Sequence, residues 1–165
     1  MAPPIRWRGS IFGGFVAAST EVLIGDASAQ HVLIRPLSRS NPGLFDDRDG
    51  NWIECEIEVA AGGFRGAFTA DMRSEEFHAF MDQVSELGRT IDGAATFTTM
   101  EGQLALALTV GGGGQIRIAG EALDLAGSEN RLAFGFTIEA ACLPAISHAL
   151  ESLLAAFPVI DTPNV

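Results

Sequence analysis

Along most of the chain apolar residues recur at every second position, and two stretches switch to a spacing of three and four. The clearest alternation is Trp52-Ile53-Glu54-Cys55-Glu56-Ile57-Glu58-Val59. It places Ile53, Cys55, Ile57 and Val59 on one side and Trp52, Glu54, Glu56 and Glu58 on the other. A period of two with one apolar side predicts a half-buried antiparallel strand. Ala60-Ala61-Gly62-Gly63 reads as a hairpin connection. Residues 64–70 read as the partner strand, with Phe64, Phe68 and Ala70 on its apolar side and Arg65 across from the glutamates, where it would relieve their repulsion. The same period predicts strands over 20–24, 31–37, 94–99, 103–110, 115–119 and 131–138.

The two helical stretches have equally plain signals. Ser74 is a candidate N-cap, followed by Glu75 and Glu76 in the first turn, where the helix dipole favours anions. Phe77, Phe80, Met81, Val84 and Leu87 then form one apolar stripe, and Gly88 is the expected end. The second helix begins near Pro144 and stops before Pro158, with Leu143, Ile146, Leu150, Leu153, Leu154 and Phe157 on its buried side. Between the periodic segments lie turn formers, most densely over residues 38–50 and in the four glycines at 111–114. With hairpin-length links and no alternation of strand and helix, the pattern predicts an α+β fold. It has about eight mostly antiparallel strands, as a curved sheet or a two-sheet sandwich, with two covering helices. A single domain over residues 1–165 is the expectation from length, with residues 1–17 only weakly patterned and loosely held.

Composition changes the picture mainly through charge. The apolar fraction of 47% against 19% charged residues is that of a globular chain able to build a core. Asp and Glu number 21 against 10 basic residues, a formal net charge of -11. Nucleic-acid binding rests on neutralising phosphates, so such a chain argues against that class, and against anionic membrane surfaces. It suits a basic protein partner, and it also serves simple solubility. Cys55 and Cys142 lie far apart in apolar surroundings and read as buried free thiols, not as a disulfide or a redox pair. Met1–Arg6 contains no apolar signal core, and no apolar run approaches the roughly 20 residues that span a bilayer. A cytoplasmic protein is expected.

Candidate chemistry was sought in four places. Gly111–Gly114 lacks the Gly-Lys-Ser/Thr ending of a phosphate loop, and a strand follows it, so it reads as a turn. Glu75 with His78 and His148 with Glu151 have the spacing of helical metal ligands, yet each is a lone pair without the further ligands such a centre needs. Nucleophilic catalysis requires an activated Ser or Cys beside a His, and no Gly-x-Ser-x-Gly turn occurs; Cys55 lies on an apolar strand face that disfavours a thiolate. No catalytic residue, metal ligand set or cofactor is therefore expected. The fourth place is the row Trp52, Glu54, Glu56 and Glu58 beside the loop carboxylates Asp46, Asp47 and Asp49. Equally exposed glutamates give no reason for the split acid and base roles of a glycosidase. The two readings are an ordinary solvated sheet face and an acidic docking surface with an aromatic anchor.

Several segments, in order, resemble a known family: Asp49-Gly50-Asn51-Trp52-Ile53, Gly63-Phe64-Arg65-Gly66, Glu76-Phe77-His78-Ala79-Phe80, Gly114-Gln115-Ile116-Arg117-Ile118-Ala119-Gly120, Asn130-Arg131-Leu132-Ala133-Phe134 and Phe157-Pro158-Val159. The chain is similar over residues 49–160 to small bacterial proteins of the WapI-like immunity type. The most specific piece is Gly-Asn-Trp-Ile ahead of an alternating strand. The resemblance implies a non-enzymatic protein that neutralises a contact-delivered toxin by binding it in the cytoplasm of the producing cell. The toxin that names the family acts on tRNA, so a cognate domain is expected to be basic. The alternatives are a self-associating structural or regulatory domain, and an enzyme with a site of unfamiliar form.

Overall fold

A computed structural model describes residues 19–161; the expectation for residues 1–17 falls outside them. The elements are β1 (Val22–Gly25), β2 (His31–Arg39), β3 (Trp52–Ala61), β4 (Phe64–Arg73), α1 (Ser74–Thr90), β5 (Ala94–Thr98), β6 (Leu104–Val110), β7 (Gln115–Leu123), β8 (Arg131–Glu139) and α2 (Leu143–Ala156). The strands form two antiparallel sheets, in the orders β1-β2-β3-β4 and β5-β6-β7-β8. Of the two α+β arrangements open from sequence, two sheets is the one that forms. Each half of the chain is a four-stranded meander followed by a helix. The helices are exchanged: α1 packs beside β5 of the second sheet, α2 beside β1 of the first, and the two helices pack on each other. Among the described residues no helix is long and apolar enough to cross a membrane.

The apolar sides meet as the period of two requires. Ile53, Cys55, Ile57 and Val59 are fully buried, while Glu54, Glu56 and Glu58 point away from the core. They join buried residues of the second sheet and of both helices in one contiguous core. Phe97 of β5 is its aromatic centre, with ring centroids 5.3 Å from Phe77 and 5.2 Å from Phe80. Gln83 of α1 closes the free edge of β5: its amide donates to the Thr96 carbonyl at 3.3 Å and accepts the Thr96 N–H at 3.0 Å. A side chain here does the work of a missing strand on an exposed edge.

Six local expectations are corrected. β3 runs on to Ala61 and the turn is only Gly62–Gly63, so Arg65 pairs with Ala60, not with a glutamate. Phe64, beside that turn, is 68% exposed instead of packed. Helix α1 passes through Gly88 and ends at Ile91, which takes the left-handed conformation (φ 50°) and donates its N–H to the Leu87 carbonyl at 2.8 Å. Its N-cap is Arg73, whose N–H donates to the Glu76 carboxylate at 2.8 Å; burial holds that carboxyl above the usual range. Cys142 is exposed at the start of α2, whereas Cys55 is buried and desolvation pushes its thiol up to about 12. On α2, Leu143, Ile146, Leu150 and Leu153 are buried, but Leu154 and Phe157 only pack against the core's margin.

Ser74 is not a cap because its hydroxyl is committed elsewhere. It donates to the Phe157 carbonyl at 3.0 Å and accepts Arg39 Nη1 at 3.1 Å, while the Ser74 N–H donates to the Asn51 carbonyl at 3.0 Å. Asn51, fully buried, completes this knot between loop, helix and tail. Its amide nitrogen donates to Glu75 Oε1 and to the Ile160 carbonyl, both at 2.9 Å, and its oxygen accepts the Ile160 N–H at 2.8 Å. Gly50 precedes it because a Cβ there would lie 2.6 Å from the Asp46 carbonyl and 2.7 Å from that of Leu44.

Removing the Phe80 ring from the filled core is expected to cost about 3–5 kcal/mol in chemical denaturation. Phe157→Ala should cost clearly less, because its ring is only half-buried; equal losses would show that the α2 end is core after all. Asn51→Ala leaves several buried partners unsatisfied and should cost about 1–3 kcal/mol. It should also speed carboxypeptidase digestion of residues beyond Pro158. A variant whose tail stays as resistant as the wild type would show that the clamp lies elsewhere.

Candidate functional site

The seven acidic and aromatic positions singled out in the sequence do not form one surface. The structure divides them into three groups. Asp46 is turned inward on its own loop, where its Oδ1 accepts the N–H groups of Arg48, Asp49 and Gly50 at 3.1, 2.7 and 3.3 Å. Those backbone donors hold its carboxyl below the usual range. Asp47 offers its backbone carbonyl to Arg73 and to Asn51, and its side chain stays exposed. Both residues shape the loop from which Asp49 projects.

The second group is Glu56 and Glu58, which are already paired. The β2–β3 register sets Arg35 opposite Glu56. Its Nη1 lies 2.6 Å from Glu56 Oε1 and 3.7 Å from Glu58 Oε2, and its Nε donates to Glu21 at 3.1 Å. His31, only 2% exposed, sets one ring nitrogen 3.1 Å from Glu58 and the other 3.1 Å from the Asp26 carbonyl. The relief of like charge expected from Arg65 comes instead from Arg35, on the opposite neighbour strand, and His31 of the same strand hydrogen-bonds to Glu58.

The third group is Asp49, Trp52 and Glu54, and these do come together. They line an open groove of about 700 Å³ with Ser40, Asn41, Thr69, Asp71, Glu101, Gln103 and Leu125. Glu54 stands directly opposite Asp71 in the β3–β4 register, a cross-strand pair of like charges. Among the described lining residues four are carboxylates and none is a cation. Two donors of the lining are taken up within it: Ser40 Oγ donates to Asp71 at 2.6 Å, Asn41 Nδ2 to the Asp49 carbonyl at 3.0 Å. Gln103, 6% exposed, donates its amide nitrogen to the carbonyls of Thr69 at 3.2 Å and Asp124 at 3.4 Å. Two carbonyls on one side fix the orientation of that amide and leave its oxygen as a further acceptor. Trp52 forms the wall toward Arg73, whose guanidinium lies 5.6 Å from the indole centroid.

Asp71, Glu101, Gln103 and Leu125 are site residues that the sequence reading missed. Asp71 was within reach of it, since a turn placed at Gly62–Gly63 puts residue 71 opposite residue 54. The other three come from the second sheet and reach the groove only through tertiary packing. The remaining candidates are not assembled into chemistry. Glu75 bonds to Arg73 and Asn51 while His78 lies 3.5 Å from Asp82, and His148 sits 3.6 Å from Glu151 on an exposed face. Among the described residues no three His, Cys, Asp or Glu side chains converge as a metal site.

Comparison with curated proteins and with solved structures gives no match. The family comparison does match, with the model described as the Immunity protein WapI-like family, over residues 22–158. That span takes in β1, β2 and the loop before Asp49, so the likeness starts well ahead of residue 49, where the sequence motifs alone placed it. It runs from the first residue of β1 to the tail held by Ser74, and on this match the chain belongs to the WapI-like immunity protein family.

Proposed function

We propose that the protein is a binding protein, not an enzyme, that neutralises a bacterial toxin domain in the cytoplasm of the producing cell, and that it meets the basic surface of that toxin with the acidic groove. Family membership supports the general role, since immunity proteins act by holding a toxin. The observation that carries the placement is the uncompensated pair Glu54 and Asp71 in a groove with two more carboxylates and no cation among its described residues. Elsewhere on the same sheet face the carboxylates are paired by Arg35 and His31. Holding like charges opposite each other has a cost, and a guanidinium or ammonium group from a partner offsets it. Asp46, Glu56 and Glu58 are thereby assigned to the protein's own structure. Asp47 lies at the margin, and Asp49, Trp52 and Glu54 form the contact.

The test is binding to a panel of bacterial contact-delivered toxin domains in catalytically disabled form. The wild-type chain should form a stable complex whose association slows as salt rises. The double change Glu54→Gln and Asp71→Asn should slow association about tenfold at low salt, flatten the salt dependence and speed dissociation. The pair Glu56→Gln and Glu58→Gln should do neither. Equal effects from the two pairs would return the whole row to the status of a solvated surface. Absence of any complex would remove the toxin-binding reading altogether.

A further inference from the structure

The groove has an apolar rim, and its composition narrows the partner. Large apolar side chains left exposed on the described chain are Leu37, Leu44, Phe45, Phe64, Ile91, Met100 and Leu125. Scattered singly they need no explanation. Four of the seven are not scattered. Leu125, 67% exposed, lines the groove itself. Met100, 65% exposed, directly precedes the lining residue Glu101. Leu44 and Phe45, the latter 80% exposed, ride on the loop that supplies Ser40, Asn41 and Asp49. That loop is held in place from below by the Asp46 carboxylate and by Asn41, so its tip is presented on a tied base. The groove thus has an anionic floor, one apolar residue in its own lining, and exposed apolar residues, its rim, on two further chain segments that line it.

We infer that this rim and floor form one docking surface for a protein partner that inserts a basic side chain, an arginine above all, from a surrounding apolar patch. The floor selects a cationic donor, because its four carboxylates carry the charge and no cation stands among its described residues, while the donors of Ser40, Asn41 and Gln103 are used within the wall. A planar guanidinium can satisfy two carboxylates at once, which a lysine ammonium does less well. The rim supplies what charge alone does not. Phenylalanine and methionine are among the residues enriched in interfaces, and truncating a well-packed anchor there raises the dissociation rate. A second copy of this chain docked groove to groove does not fit the surface, since it would bring four more carboxylates against the same floor.

The inference rests on the toxin-binding reading, and the experiment separates the two. The full chain is measured by surface plasmon resonance against the same panel of disabled toxin domains, and its mass is measured alone by light scattering. Phe45→Ala and Leu125→Ala should each speed dissociation at least about tenfold while leaving association and its salt dependence unchanged. On the toxin side, Arg→Lys at the contacting residue should weaken the complex nearly as much as Arg→Ala. Binding by the wild type together with unaltered dissociation of both rim variants would overturn this inference and leave the acidic groove standing. Failure of the wild type to bind would overturn both. A dimer of the chain alone that Phe45→Ala dissolves would assign the rim to self-association and overturn the arginine-bearing partner.

Discussion

The two-residue turn at Gly62–Gly63 sets the register between β3 and β4, and much of what the molecule presents follows from it. That register brings Met72 to Ile53 and Ala70 to Cys55 on the buried side. On the other side it brings Asp71 to Glu54 and Arg73 to Trp52. Because side chains alternate, a slip of one residue would send each of these to the wrong face. A slip of two would keep the faces and change every partner. The second case separates the hairpin expected from sequence from the one that forms. In the first, Arg65 neutralises Glu58; in the second, Glu54 faces Asp71 unrelieved, and Arg65 falls beyond the row. One extra residue pair at the end of a strand thus decides whether the acidic row is quenched or left with a gap.

Elements set by strong periodicity were legible. The Ile53 to Val59 face, the α1 stripe from Phe77 to Leu87, and the strands of the second sheet read directly, since hydrophobic period and local preference point the same way. What escaped depended on contacts distant in the chain. Arg35 reaches Glu56 across a 12-residue loop and a bulge between Pro36 and Ser38, which no local rule places. Gly88 looked like a helix end because glycine is a poor interior residue by about 1 kcal/mol. Packing of α1 against α2 overrides that preference. Ser74 looked like a cap by type, and its hydroxyl was taken by the tail. Cys142 looked buried from its apolar neighbours, but those neighbours belong to a helix start whose N-terminal turn faces outward.

The most family-like segment, Gly50-Asn51-Trp52-Ile53, acquires a physical meaning different from the one its composition invited. Gly50 is confined by two carbonyls, Asn51 clamps the tail, Ile53 is core, and only Trp52 touches the groove. A motif recognisable in sequence here marks a structural joint. The groove it supports takes Asp49, Trp52 and Glu54 from that stretch and its immediate neighbours and completes itself with residues distant in the chain.

The exchange of helices between the two sheets has a consequence for how the chain can come apart. Each meander is completed by the helix that follows the other, the relation found between the protomers of a domain-swapped dimer, here joined in tandem through the short link between Thr90 and Ala94. Neither half can close its apolar face alone, because Phe77 and Phe80 find Phe97 only across the exchange. Among the described residues the two sheets therefore share one core, and each half holds the lid of the other.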